Sequence, residues 1–110
     1  MTALPPHAFG PDAFAPHGAM GLHVAQTMAR FGSSRLSDRE AAVARMILQG
    51  HSSKFIARQL GNSPETVKVF RKRIHTKLGI GSSAELFPLF LAALCAAPQN
   101  CPDDPLLHLV

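Results

Sequence analysis

At 110 residues the chain has room for one small domain with tails, not for two full domains. Apolar residues make up 46%, enough for a modest core, and every aromatic residue is Phe. A formal charge of +4 with a pI near 9.7 points towards anionic partners.

Composition also narrows the function classes. No apolar run reaches the roughly 18 residues needed to span a bilayer. The opening MTALPPHAFGPDAF lacks the basic start and continuous apolar stretch of a secretory signal. The expectation is therefore a cytoplasmic protein with no membrane partner. Cys95 and Cys101 form neither a zinc signature nor a disulfide framework and are expected as reduced thiols. The six histidines (7, 17, 23, 51, 75 and 108) show no metal spacing. There is no Gly-rich phosphate loop after a strand and no sign of a Ser, His and acid trio. No metal, cofactor or enzymatic activity is expected.

In chain order, residues 1–33 read as a flexible arm. Pro5, Pro6, Pro11 and Pro16 alternate with Gly10, Gly18 and Gly21, and such a segment cannot offset its own ordering entropy. A short helix at 22–31 is possible within it, with Leu22, Ala25, Met28 and Ala29 on one face. Residues 36–94 carry regular helix signals. Ser37 and Glu40 form a capping box before a run with Ala41, Ala44, Ile47 and Leu48 at helical spacing, joined by Val43 and Met46. Gly50 stops that helix. SSKFIARQLG predicts a second helix with Phe55, Ile56 and Leu60 as its apolar set. Ser63 caps a third, with Pro64 at its first position, and Gly79 ends it. SSAELFPLFLAAL predicts a fourth, capped by Ser82 or Ser83 and limited or kinked by Pro88. Residues 95–110 form a Pro-rich tail in which Leu106, Leu107, Leu109 and Val110 could dock. No segment alternates with the period of a strand, so the fold class is all-α.

The third helix is the informative one. Val67, Phe70, Ile74 and Leu78 fall in one apolar stripe, while Glu65, Lys68, Val69, Lys72 and Thr76 lie opposite, flanked by Arg73 and His75. Between Ser53 and Leu78 stand Lys54, Arg58, Lys68, Arg71, Lys72, Arg73 and Lys77 against the single acid Glu65. An ordinary solvated face mixes signs, because opposite charges at i,i+4 stabilise a helix and like charges do not. A lysine can donate to guanine O6 and N7, and an apolar side chain can touch a thymine methyl. SSKFIARQLGNSPETV, a helix, a short turn and a second capped helix, has the helix-turn-helix layout.

The stretch LSDREAAVARMILQGHSSKFIARQLGNSPETVKVFRKRIHTKLGI closely resembles the LuxR/NarL/FixJ-type (GerE) DNA-binding domain of bacterial transcription regulators. The similar motifs run from Leu36 to about Leu89, roughly half the chain. The resemblance implies a four-helix bundle with helix-turn-helix, its third helix the reader and its fourth a dimer contact. It implies base contacts from Lys68, Val69 and Lys72 and phosphate contacts from Lys54, Ser63, Thr66 and Lys77. Arg71 and Arg73 join the phosphate set from the basic segment itself, and Leu86, Leu89 and Phe90 are the expected dimer residues. The implied partners are double-stranded DNA, a second copy of the chain and RNA polymerase. Two positions depart from the family pattern. Phe70 stands where relatives usually have His, and Ser83 where they often have Arg, which removes a backbone contact from the last helix. Beside this domain, 110 residues leave no room for a receiver or small-molecule-binding domain, so the expectation is a stand-alone reader, a truncated product or the excised end of a larger regulator. The alternatives are a promoter-recognition module like region 4 of a sigma factor, and a protein–protein adaptor using the fourth helix.

Overall fold

The computed structural model describes residues 18–98 and 101–109. Residues 1–17, most of the expected arm, and Val110 of the tail lie outside the described residues. Five helices run in the order α1 (Gly18–Arg30), α2 (Asp38–Leu48), α3 (Ser53–Leu60), α4 (Pro64–Leu78) and α5 (Leu86–Ala96). Short 3-10 turns occupy Ser83–Glu85 and Pro105–His108. The all-α expectation holds, and α2 to α5 are the four helices of the predicted bundle. No single helix among the described residues is long and apolar enough to cross a membrane.

Local chemistry starts three of these helices. Ser37 Oγ accepts from the Glu40 amide at 3.2 Å while Glu40 Oε1 accepts from the Ser37 amide at 2.9 Å, completing the capping box. Ser52 caps α3 through the Phe55 amide, and Ser63 caps α4 through the Thr66 amide. Gly61 closes α3 in the left-handed region at φ 68°, which a β-carbon would disfavour. The Asn62 amide then returns to the Ala57 carbonyl at 2.8 Å, and this tight turn aims α4 across α3.

The core gathers one face from each element. Val43, Ile56, Val67, Ile74 and Leu86 are fully buried, and Phe31 meets Phe90 edge to face at 5.6 Å. α4 packs on both α2 and α3. On α3 the buried pair is Ile56 and Ala57, with Leu60 partly buried. Phe55, expected in the core, lies instead on the surface, stacked on His51 at 4.3 Å. Pro88 does not interrupt α5. The helix begins at Leu86 after the 3-10 turn, so Pro88 sits in the first turn, where no intrahelical N–H bond is needed.

α1 begins earlier than the expected 22–31 and belongs to the packed domain. Its inward side is mixed: His23, Thr27 and, just past its end, Phe31 follow at i, i+4 and i+8, and Met28 of the expected apolar face packs against the core, whereas Leu22 and Ala29 of that face are exposed. His23 Nε2 bonds to the Leu94 carbonyl at 3.0 Å, and Thr27 Oγ1 donates to the His23 carbonyl at 2.7 Å. Each buried polar group is thereby satisfied, which makes polar residues on the inner side tolerable.

The tail docks against the same region. Asp104, 3% exposed, accepts from the amides of Gly32, Ser34 and Leu106 and from the Ser34 hydroxyl at 2.6–3.0 Å. Arg30 donates to the Cys101 carbonyl at 3.0 Å. Leu106 then fills the core at 2% exposure. The turn it clamps depends on Gly32 at φ 82°, where a β-carbon would stand 2.7 Å from Leu36 Cδ1. Asp104→Ala orphans four donors at once. It is expected to cost about 2–3 kcal/mol in urea unfolding, while Asp103→Ala, at an exposed position, should stay within about 0.5 kcal/mol.

Candidate nucleic-acid interface

The chain positions α4 by its underside. Val67 and Ile74 are fully buried, Leu78 nearly so, and Phe70 is half-buried against the core. With that stripe held, the helical period turns Lys68, Val69, Lys72, Arg73 and Thr76 outward, and all five are exposed. Val69 is 47% exposed, an apolar side chain standing among cations with no core neighbour to explain it. Lys68, Lys72 and Arg73 make no ion pair among the described residues.

Around this face the remaining candidates divide. Lys54 is exposed on the first turn of α3. Ser63 and Thr66 share a hydroxyl–hydroxyl bond of 3.0 Å at the start of α4, where free N–H groups and the helix dipole favour an anion. Arg71 differs. Its Nε donates to Ser83 Oγ at 3.0 Å and its Nη1 donates to Ser53 Oγ at 2.6 Å. Sequence reasoning placed it with the outward cations, but residue 71 lies four after Val67 and three before Ile74. It therefore borders the buried stripe. Ser83 also meets His75 Nε2 at 2.9 Å.

Lys77 has a partner that no local signal reveals. Its ammonium donates to Glu40 Oε1 at 2.6 Å, across 37 residues of chain. The Glu40 side chain is 3% exposed and the Lys77 side chain 44%. Burial alone would push the Glu40 carboxyl up. The bonds from Lys77 and from the Ser37 amide outweigh it and leave the carboxyl below its ordinary value. One carboxylate thus caps α2 and ties α2 to the last turn of α4.

The expected dimer residues need correction. Leu86 is fully buried and Phe90 is 4% exposed, so both belong to the chain's own core, and Leu89 is half-buried against it. With α5 starting at Leu86, its inward side carries Leu86, Phe90 and Ala93, and its outward side carries Phe87 at 56% and Leu91 at 42% exposure. A wholly apolar helix gives no periodic signal for choosing its inward side.

Residues 34–90 match the family of bacterial regulatory proteins described as the luxR family. The chain is 49% identical over 82 residues to an HTH-type transcriptional regulator encoded in the exeN 3′ region of Aeromonas salmonicida, covering 74% of this chain and 42% of that protein. It is 40% identical over 70 residues to the transcriptional regulatory protein FixJ of Bradyrhizobium diazoefficiens, covering 64% and 34%. To the transcriptional regulatory protein UhpA of Escherichia coli it is 45% identical over 51 residues, covering 46% and 26%. The chain thus spans less than half the length of these relatives. No solved structure matches it at a significant level.

The Glu40 carboxylate makes a pH prediction. A carboxyl lowered on folding adds stability that is present above its unfolded value, near 4.5, and is lost as pH falls through the lowered one. Glu40→Gln should therefore lower the neutral-pH urea midpoint by about 1–2 kcal/mol equivalent. It should also flatten the decline of stability below that pH. A Gln variant with an unaltered acid limb would show that other carboxylates set it.

Proposed function

Because the chain belongs to the luxR family of bacterial regulatory proteins, we propose that it binds specific DNA sequences to regulate transcription, with α4 lying in the major groove. One observation carries this: α4 is seated by an apolar underside and presents Lys68, Lys72 and Arg73, which pair with no acid among the described residues. Lys68 and Lys72 stand one turn apart and suit acceptors on neighbouring base pairs, and Val69 beside them suits a thymine methyl. Lys54, Ser63, Thr66 and Arg73 hold phosphates around that contact. Lys77 spends one of three N–H groups on Glu40 and can offer another to the backbone.

A single domain of this size makes few contacts, so the functional unit is a dimer on two half-sites. The surface that supports it is the Phe87 and Leu91 side of α5, where two large apolar side chains remain exposed. A groove of about 290 Å³ beside it is lined by Ile47, Leu48, Ala84, Leu86 and Phe87.

Selection of duplexes from a random library at physiological salt tests the proposal. An enriched, two-fold symmetric sequence is expected, and a library returned unenriched would exclude specific reading. On the enriched duplex, Lys72→Ala should cost roughly 1–3 kcal/mol and relax selectivity at one position. Lys54→Ala should weaken all duplexes alike and lower the salt slope by about one. In sedimentation, Phe87→Asp should shift the mass towards the monomer, and a parent already monomeric on its duplex would remove the α5 interface.

A further inference from the structure

We infer that Arg71 is a positioning residue, which sets the roll of α4 so that Lys68 and Lys72 meet base edges in register. This rests on the DNA-reading function proposed above. The guanidinium bonds two serines from different parts of the chain: Ser53 opens α3, and Ser83 opens the 3-10 turn that leads into α5. His75, one turn further along α4, meets the same Ser83 hydroxyl. Three elements therefore converge on one planar group.

The apolar underside of α4 cannot supply this control alone. Burial of Val67, Ile74 and Leu78 is non-directional, so it selects which side faces inward but resists small rotations weakly. A guanidinium is a rigid fork whose donors point in fixed directions, and two oxygens on it define an orientation. With side chains an α-helix is about 10–12 Å across, so a roll of about 10° moves an outward tip by about 1 Å. A shift of that size takes a hydrogen bond from good geometry to poor. Arg71 stands three residues after Lys68 and one before Lys72, within the segment whose roll matters.

This role differs from a phosphate contact in what it does to affinity. A phosphate contact strengthens binding to any duplex and adds to the salt slope. A positioning residue strengthens binding only where base edges are matched, because base-edge acceptors stand at fixed places in the groove, whereas phosphates line every duplex alike and carry no sequence information. Arg71 has two N–H groups already committed to protein oxygens, so a phosphate would have to compete for them.

The test uses the 110-residue chain, the enriched duplex and a scrambled duplex, each titrated across a salt series. The variants are Arg71→Lys, Arg71→Gln and Ser53→Ala with Ser83→Ala. Arg71→Lys keeps the charge but cannot bridge both serines. It is expected to lose about tenfold affinity for the enriched duplex, within the range of one bidentate base contact. Its scrambled-duplex affinity and salt slope should match the parent. The double serine variant should lose a similar factor, and adding Arg71→Lys to it should change nothing more. Full rescue by Arg71→Lys would overturn the inference. So would Arg71→Gln weakening both duplexes equally with a slope lowered by about one, the mark of a phosphate contact. Thermal midpoints identify a variant that is unfolded. If Arg71→Lys is, the double serine variant decides, since a parental preference in it overturns the role. A parent that prefers no sequence defeats the DNA-reading proposal and this role with it. A parent whose preference survives every variant defeats the positioning role alone.

Discussion

The structure depends on the burial of the Val67, Ile74 and Leu78 stripe of α4 between α2 and α3. An amphipathic helix of fifteen residues has two unequal sides, and the position of one dictates the other. Once the stripe is packed, Lys68, Val69 and Lys72 face solvent, and the bonds of Arg71 to Ser53 and Ser83 add a directional contact to that packing. Every side chain buried on one side therefore also places a side chain on the other. The turn at Gly61 and Asn62 gives α4 its direction, and the Ser63 cap and Pro64 give it a defined first residue. Together they convert a local sequence pattern into an oriented surface.

Polar groups complete what apolar packing leaves loose. Among the described residues, no buried side-chain nitrogen or oxygen lacks a hydrogen-bond partner. Two buried carboxylates account for much of the long-range order. Glu40 joins the start of α2 to the end of α4, and Asp104 joins the C-terminal segment to the turn after α1. Both accept charge-assisted bonds or backbone amides, which offsets the cost of removing a charged oxygen from water. The domain extends beyond the 34–90 segment that defines the family. α1 and the tail close over α5 from one side and leave Phe87 and Leu91 as its open face.

The legible parts of the molecule were those encoded within about four residues. The capping box at Ser37 and Glu40, the Ser63 cap and the inward stripe of α4 all lie at short spacing, and the structure places them as their pattern predicts. Legibility fell where several packings satisfy the same pattern. α5 is apolar on every side, so its spacing could not say that Leu86 and Phe90 face the core while Phe87 faces out. α1 has an apolar stripe, yet of it Leu22 and Ala29 are exposed while His23 and Thr27 turn inward beside Met28, because each polar group there finds a partner. Phe55 reads as core by residue type but stacks on His51 at the surface, while the smaller Ala57 is buried next to Ile56.

The linear order of residues was enough to determine an all-α chain, its helix starts, the helix-turn-helix and the cationic side of α4. Each follows from backbone hydrogen bonding and side-chain period, which act between near neighbours. Only the tertiary structure decided what each charged group does. Lys77 lies 37 residues from Glu40, and Arg71 lies 18 and 12 residues from Ser53 and Ser83. Whether a basic side chain stays free for a ligand or is held by its own chain depends on distances that arise when the helices pack. A hydrogen bond requires about 3 Å between particular atoms, and no local spacing specifies that separation between distant segments.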